Sequence, residues 1–136
     1  YKRQAEKLGV ADRVVFLGHR DDPRDCYFAA DFLVHPTFYD PCSLVALEAL
    51  ACGLPVVTTK YNGASELLTV PDNGIVVSDP HDAAELGGAI RRMLDPGYRR
   101  AAAASAREAA QRWTFEHHYR ALLDVFAGGR ATKRAA

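Results

Sequence analysis

The chain has 136 residues and 14.9 kDa, of which 49% are hydrophobic and 25% charged, enough to build one domain with its own core. Seventeen basic side chains balance seventeen acidic ones, which argues against broad electrostatic attraction to nucleic acid or an acidic membrane. Cys26, Cys42 and Cys52 are an odd number without Cys-x-x-Cys spacing; this disfavours a zinc site or a disulfide framework and suits a reducing, cytosolic setting.

The opening YKRQAEKLGV reads as a helix over 2–8 ended by Gly9, and it lacks the apolar stretch of a signal peptide. Arg13 to Leu17, β-branched and aromatic and bounded by Gly18, predicts a strand. Pro23 to Ala30 predicts a helix capped by Asp21 or Asp22, and Asp31 to His35 a second strand stopped by Pro36. A helix over Leu44–Cys52 should end at Gly53 and be followed by a strand over Pro55–Thr59. Ser65 to Leu68 suits one helical turn, and Gly74 to Val77 a fourth strand. Asp79-Pro80 should cap and open a helix reaching Leu94, with further helices over 97–112 and 115–126. Short apolar strands alternating with helices predict an α/β protein with a parallel sheet covered on both faces. Residues 1–127 form the expected domain. Residues 128–136, with Arg130, Lys133 and Arg134 among Ala and Gly, are expected to be a flexible, solvated tail. The apolar run Pro41–Thr59 is broken by Glu48, Gly53 and Pro55, so it cannot be a transmembrane helix.

That run also carries the chemistry. Between Asp40 and Lys60 the one charged residue is Glu48, on a helix of Leu, Val, Ala and Cys that should be buried all round. A carboxylate kept there costs several kcal/mol unless partners satisfy it, so it is expected to face a polar cleft; the alternative is a carboxylate at the protein edge or paired with an Arg. Ser43 suits the N-cap, leaving the N–H groups of Leu44, Val45 and Ala46 without intrahelical partners. With the helix dipole they suit an anion, at the carboxyl end of a parallel sheet where ligands bind in doubly wound folds. Carboxylates accept hydrogen bonds from sugar hydroxyls, so the combination suits a nucleotide diphosphate bearing a sugar.

Five blocks in order then carry a resemblance: RVVFLG at 13–18, DFLVHPTFYD at 31–40, LVALEALACGLPVVTT at 44–59, YNGASELL at 61–68 and NGIVVSDPHDAAELGGAI at 73–90. Trp113-Thr114-Phe115-Glu116 adds the start of a closing helix. Residues 13–113 resemble the C-terminal domain of the GT-B-fold glycosyltransferases of group 1, or family four, whose signature is two Glu with seven residues between them. Asp40 and Glu48 stand at those positions, the first a methylene shorter.

By this resemblance, Glu48 would hold the ribose of the donor nucleotide and Asp40 would contact the donor hexose near its reacting carbon. Cys42, Ser43, Leu44 and Val45 fall on the segment whose amides lie along hexose and diphosphate, with Ser43 in place of the usual Gly. Gly18 and His19 would border the base. The implied reaction is transfer of a hexose from a nucleoside diphosphate sugar, UDP- or GDP-linked, to an acceptor hydroxyl with retention. Neither a metal nor another cofactor is implied. The acceptor, a glycan, lipid or small molecule, would bind an N-terminal half that lies upstream, as would the Arg and Lys that hold the phosphates. The family's sheet order 3-2-1-4-5-6 would separate strand 13–17 from strand 31–35 by a gap of two places. The fragment is therefore expected to be marginal in solution, inactive alone, and cytoplasmic or peripheral at the inner membrane through its missing half. Two alternatives stand beside this: a receiver-like regulatory module, loosely imitated by Asp21, Asp22, Asp25, Thr58 or Thr59 and Lys60, and a GT-B-fold sugar-nucleotide epimerase.

Other residues have simpler readings. His35 is read as a hydrogen-bonded structural histidine, with donor contact as the alternative. Tyr39 either lines the sugar pocket or packs. Glu66 complements a helix start or approaches the diphosphate. His117 and His118 face solvent or pack, Trp113 packs in the core, and Gly63 and Gly74 serve backbone turns.

Overall fold

The computed structural model describes residues 1–134, with side chains through Gly128. Its centre is β2 (Val56–Thr59), four β-branched residues that are all buried. Such side chains pack well on a pleat, and burial on both faces is the mark of a central parallel strand. β1 (Leu33–His35) and β3 (Gly74–Val77) pair with it in parallel, giving the order β1-β2-β3 with Val34 opposite Val57 and Val57 opposite Ile75.

Successive side chains of β2 point to opposite faces, and each face has its own core. Val56 joins Leu50, Ala46 and Ala49 of α3 (Leu44–Ala51) and Ala106 of α5 (Pro96–Ala110), with Leu33 beside them. Val57 and Val77 join Ala89 and Met93 of α4 (Ala83–Met93), with Val34 and Ile75 alongside. The expected α/β architecture, a parallel sheet with helices on both faces, is therefore present.

Helix ends follow their local chemistry. α3 stops where Gly53 takes φ +79, with Gly53 N–H donating to Leu50 O and Leu54 N–H to Ala49 O, a Schellman closure. α4 is capped by Asp82, which accepts from the N–H groups of Ala84 and Glu85. Asp79, expected in that role, instead accepts the N–H of His81 and turns the chain just before the helix. α2 (Arg24–Ala29) has Asp22 accepting the Arg24 N–H at 3.1 Å, and α1 spans Lys2–Lys7.

Three expectations fail toward the ends of the chain. Residues 13–17 form no strand: Ala11–Arg13 make a 3₁₀ turn, and Val14 to Leu17 run on without ladder partners. A strand exists only through hydrogen bonds to a neighbour, and none of the described strands lies beside this segment, so Val15 is 79% exposed. α6 (Phe115–Arg134) continues past residue 126, where sequence reading ends it. Its apolar residues Phe115, Tyr119, Leu122 and Phe126 are exposed, as is Trp113, expected in the core. The expected tail at 128–136 falls on α6 as far as Arg134 and, at residues 135–136, outside the described residues. No helix among the described residues is long and apolar enough to cross a membrane.

Candidate functional site

The loop 36–43 leaves β1 at the carboxyl edge of the sheet and is pinned from below by β2. Thr58 Oγ1 donates to His35 O at 2.9 Å and Thr59 Oγ1 to Thr37 O at 2.6 Å. Asp40 then pairs in parallel with Asn62: its N–H donates to Tyr61 O at 3.1 Å, and Gly63 N–H donates to Asp40 O at 2.8 Å. A Cβ on Gly63 would stand 1.8 Å from the carbonyl oxygen of Pro41. Close approach of two backbones, rather than a turn, accounts for this glycine. Gly74 is similar, since a Cβ there would lie 2.6 Å from Val56 O.

Asn62 is fully buried and ties three segments together. Its Oδ1 accepts the N–H of Ser43 at 3.2 Å and of Ala64 at 3.0 Å, while Nδ2 donates to Thr58 Oγ1 at 2.9 Å. A buried amide satisfied in this way is costly to remove, because its partners would be left without bonds. Sequence reading took Asn62-Gly63 only as part of a loop and missed this role.

Ser43 holds the N-cap position of α3, but its side chain makes no capping bond. Its own N–H is taken by Asn62, and Ala46 N–H returns to Ser43 O at 3.2 Å. The expected set of three open amides is therefore reduced to two, Leu44 and Val45, at the positive end of the helix dipole. Both residues are exposed, at 65% and 40%. α3 is consequently not buried all round: Ala46, Ala49 and Leu50 face the core, and Leu44, Val45 and Glu48 face outward.

The two carboxylates are held differently. Asp40 Oδ1 accepts the Cys42 N–H at 3.1 Å, while Oδ2 stands 3.7 Å from His35 Nε2, both side chains being about one-third exposed. His35 Nε2 itself is buried and makes no hydrogen bond, so the reading of a hydrogen-bonded structural histidine is corrected. Glu48 lies on the exposed side of α3, not among buried neighbours, because nothing among the described residues buries that side. Its Oε2 accepts from the Tyr27 hydroxyl at 2.8 Å. Burial of the phenol, then its hydrogen bond to Glu48 and that carboxylate's charge, push the Tyr27 pKa up to about 12. No local sequence signal marks Tyr27, which approaches Glu48 from α2.

The remaining predicted residues are dispersed. Cys42 is exposed beside Asp40. Gly18 has φ +71, and the His19 side chain, 89% exposed, pairs with Asp21 at 3.3 Å; no hydrogen bond or ion pair among the described residues joins His19 to Asp40 or Glu48. Tyr39 and Glu66 are exposed, and Lys60 lies over the ring of Tyr61 at 5.1 Å. His117 sits on exposed α6 beside Thr114 Oγ1 at 3.2 Å. No group of His, Cys, Asp and Glu among the described residues has the arrangement of a metal site.

Comparison with known proteins identifies the family. Residues 1–96 match the model of the family described as Glycosyl transferases group 1. A D-inositol 3-phosphate glycosyltransferase of Acidothermus cellulolyticus is 36% identical over 134 residues, which are 97% of this chain and 30% of that protein. Sucrose-phosphate synthase of Thermosynechococcus elongatus superposes with a TM-score of 0.84 at 31% identity, covering 96% of this chain and 34% of that one. Anabaena Alr3699/HepE, solved in complex with UDP-glucose, superposes with a TM-score of 0.78 at 27% identity, covering 93% and 35%. The chain thus spans about a third of the length of these relatives. With a family model matched over more than half its length, and with the parallel sheet and helices of its structural relatives, the chain belongs to the group 1 glycosyltransferases.

Proposed function

We propose that this chain is the donor-binding part of a retaining, family-four hexosyltransferase, which moves a hexose from a nucleoside diphosphate sugar to an acceptor hydroxyl. The observation that carries the reading is the start of α3: two open amides, Leu44 and Val45, with Asp40 before them and Glu48 one turn on. An anion is favoured at the amides, and hydroxyl donors at the carboxylates. A diphosphate between a ribose and a hexose presents those groups in that order. Support comes from the relative solved with UDP-glucose, whose likeness covers 93% of this chain.

In this reading Glu48 accepts from ribose hydroxyls, and Asp40 contacts the hexose beside its anomeric carbon. The backbone of Cys42 to Val45 lies along the hexose and diphosphate, and Gly18 and His19 border the base. The bond from the anomeric carbon to the diphosphate breaks, a bond to the acceptor oxygen forms, and the acceptor proton is released. Amides aimed at the departing diphosphate stabilise the charge that develops on it, and no metal is invoked. Cationic side chains for the phosphates and the acceptor site, for a glycan, lipid or small molecule, would come from outside these 136 residues. The fragment alone would then be inactive. The location would be cytoplasmic, or peripheral at the inner membrane through that other half.

The test uses the full-length gene product with uridine, guanosine and adenosine diphosphate sugars. Glu48→Ala is expected to weaken nucleotide binding roughly tenfold or more, since a hydrogen bond to a charged group contributes about 1.5–3 kcal/mol. Asp40→Ala is expected to lower transfer while nucleotide binding persists. Equal binding and equal turnover by wild type and both variants would overturn the assignment.

A further inference from the structure

Glu48 is the residue on which nucleotide recognition is proposed to rest, yet it stands on an uncovered face of α3. An exposed glutamate has several rotamers, and fixing one costs conformational entropy of up to about 2 kcal/mol. Among the described residues the one hydrogen bond to its carboxylate comes from Tyr27, at 2.8 Å. Tyr27 belongs to a different helix, α2, and its ring packs against the core formed by α3, β2 and α5. The phenol is therefore anchored by its ring while its hydroxyl reaches the carboxylate.

We infer that Tyr27 is a positioning residue for nucleotide recognition: it holds Glu48 Oε2 and leaves Oε1 to accept from the ribose hydroxyls. This rests on the donor-site reading and adds to it a residue that touches no ligand itself. The division of labour follows from what each group offers. A tyrosine hydroxyl has one proton to donate, and an ionised carboxylate accepts through two oxygens. One oxygen is thus committed to the protein and the other remains for the ligand, in a rotamer set before the ligand arrives. Preorganisation of this kind raises affinity by removing an ordering cost rather than by adding a contact. Like any phenol with a pKa of about 10 or above, Tyr27 keeps its proton throughout the neutral range, and its raised pKa widens that margin.

The experiment compares binding of UDP and of 2′,3′-dideoxyuridine diphosphate to the full-length gene product by calorimetry, in wild type, Tyr27→Phe, Glu48→Ala and the double variant. Phenylalanine keeps the packed ring and removes only the hydroxyl. The expected result is a roughly five- to tenfold loss of UDP affinity in Tyr27→Phe. The dideoxy nucleotide should bind both proteins equally, the melting temperature should change little, and Tyr27→Phe should add nothing to Glu48→Ala. Wild-type UDP affinity in Tyr27→Phe, with Glu48→Ala impaired, would overturn this inference and leave the donor site standing. Equal loss for both nucleotides would overturn it too, by showing a general structural role. Absence of UDP binding by wild type, or no effect of Glu48→Ala, would remove the donor-site reading and this inference with it.

Discussion

The middle of the chain and its two ends are equally rich in apolar side chains, yet they reach different outcomes. Val56 and Val57 are completely buried between two helical layers, whereas Val15 and Phe126 stand 79% and 63% exposed. The two ends also differ from each other: α6 forms a full helix with its apolar residues uncovered, while Val14 to Leu17 forms no strand. A helix closes its backbone hydrogen bonds within itself, but a strand must borrow them from a neighbour. Sequence pattern alone therefore specifies a helix more completely than it specifies a strand.

Predictions that break or sharpen this contrast can be ranked by size. The largest concerns the whole fold: the 136 residues produced alone, with both ends uncovered, should show no cooperative thermal transition in near-ultraviolet circular dichroism. A sharp transition with a native-like signal would mean that the middle is self-sufficient. In the full-length gene product, Leu50→Ala should cost about 2–5 kcal/mol in urea denaturation, the range for emptying a closed core site. Gly63→Ala follows at about 1–3 kcal/mol, with loss of UDP binding, because its Cβ must push the Pro41 carbonyl aside. A Gly63→Ala protein that binds UDP normally would show that the loop 39–43 can shift without consequence.

The smallest effect is alkaline. Tyr27 has its pKa raised from 10.0 to about 12, so its contribution to stability is complete below about pH 10 and fades as pH rises through about 12. The phenolate absorbance difference between wild type and Tyr27→Phe should show one tyrosine ionising in that late window. Urea midpoints over the same window should fall more steeply for wild type than for the variant.

Much of the middle was legible in the sequence. The runs 31–35, 55–59 and 74–77 gave three strands because β-branched residues bounded by Gly or Pro have few other solutions. Gly53 marked the end of α3 through local chemistry alone. The site was legible only in part. Asp40, Ser43 and Glu48 could be singled out as candidates because a loop and a helix start lie close together in sequence. Asn62 and Tyr27 were missed because their effects pass through space, across 19 residues to Ser43 and 21 to Glu48. Burial of Glu48 was misjudged for a related reason: an apolar helix surface says that cover is suited, not that the chain provides it. The strand at 13–17 failed on the same ground.

The touch between Gly63 and Pro41 has a mechanical consequence. With the Asp40–Asn62 pairing and the Asn62 amide on Ser43, it welds residues 40–43 to 62–64 and so to the end of β2. Displacing either segment would break bonds to the other, so the two are expected to move as one block.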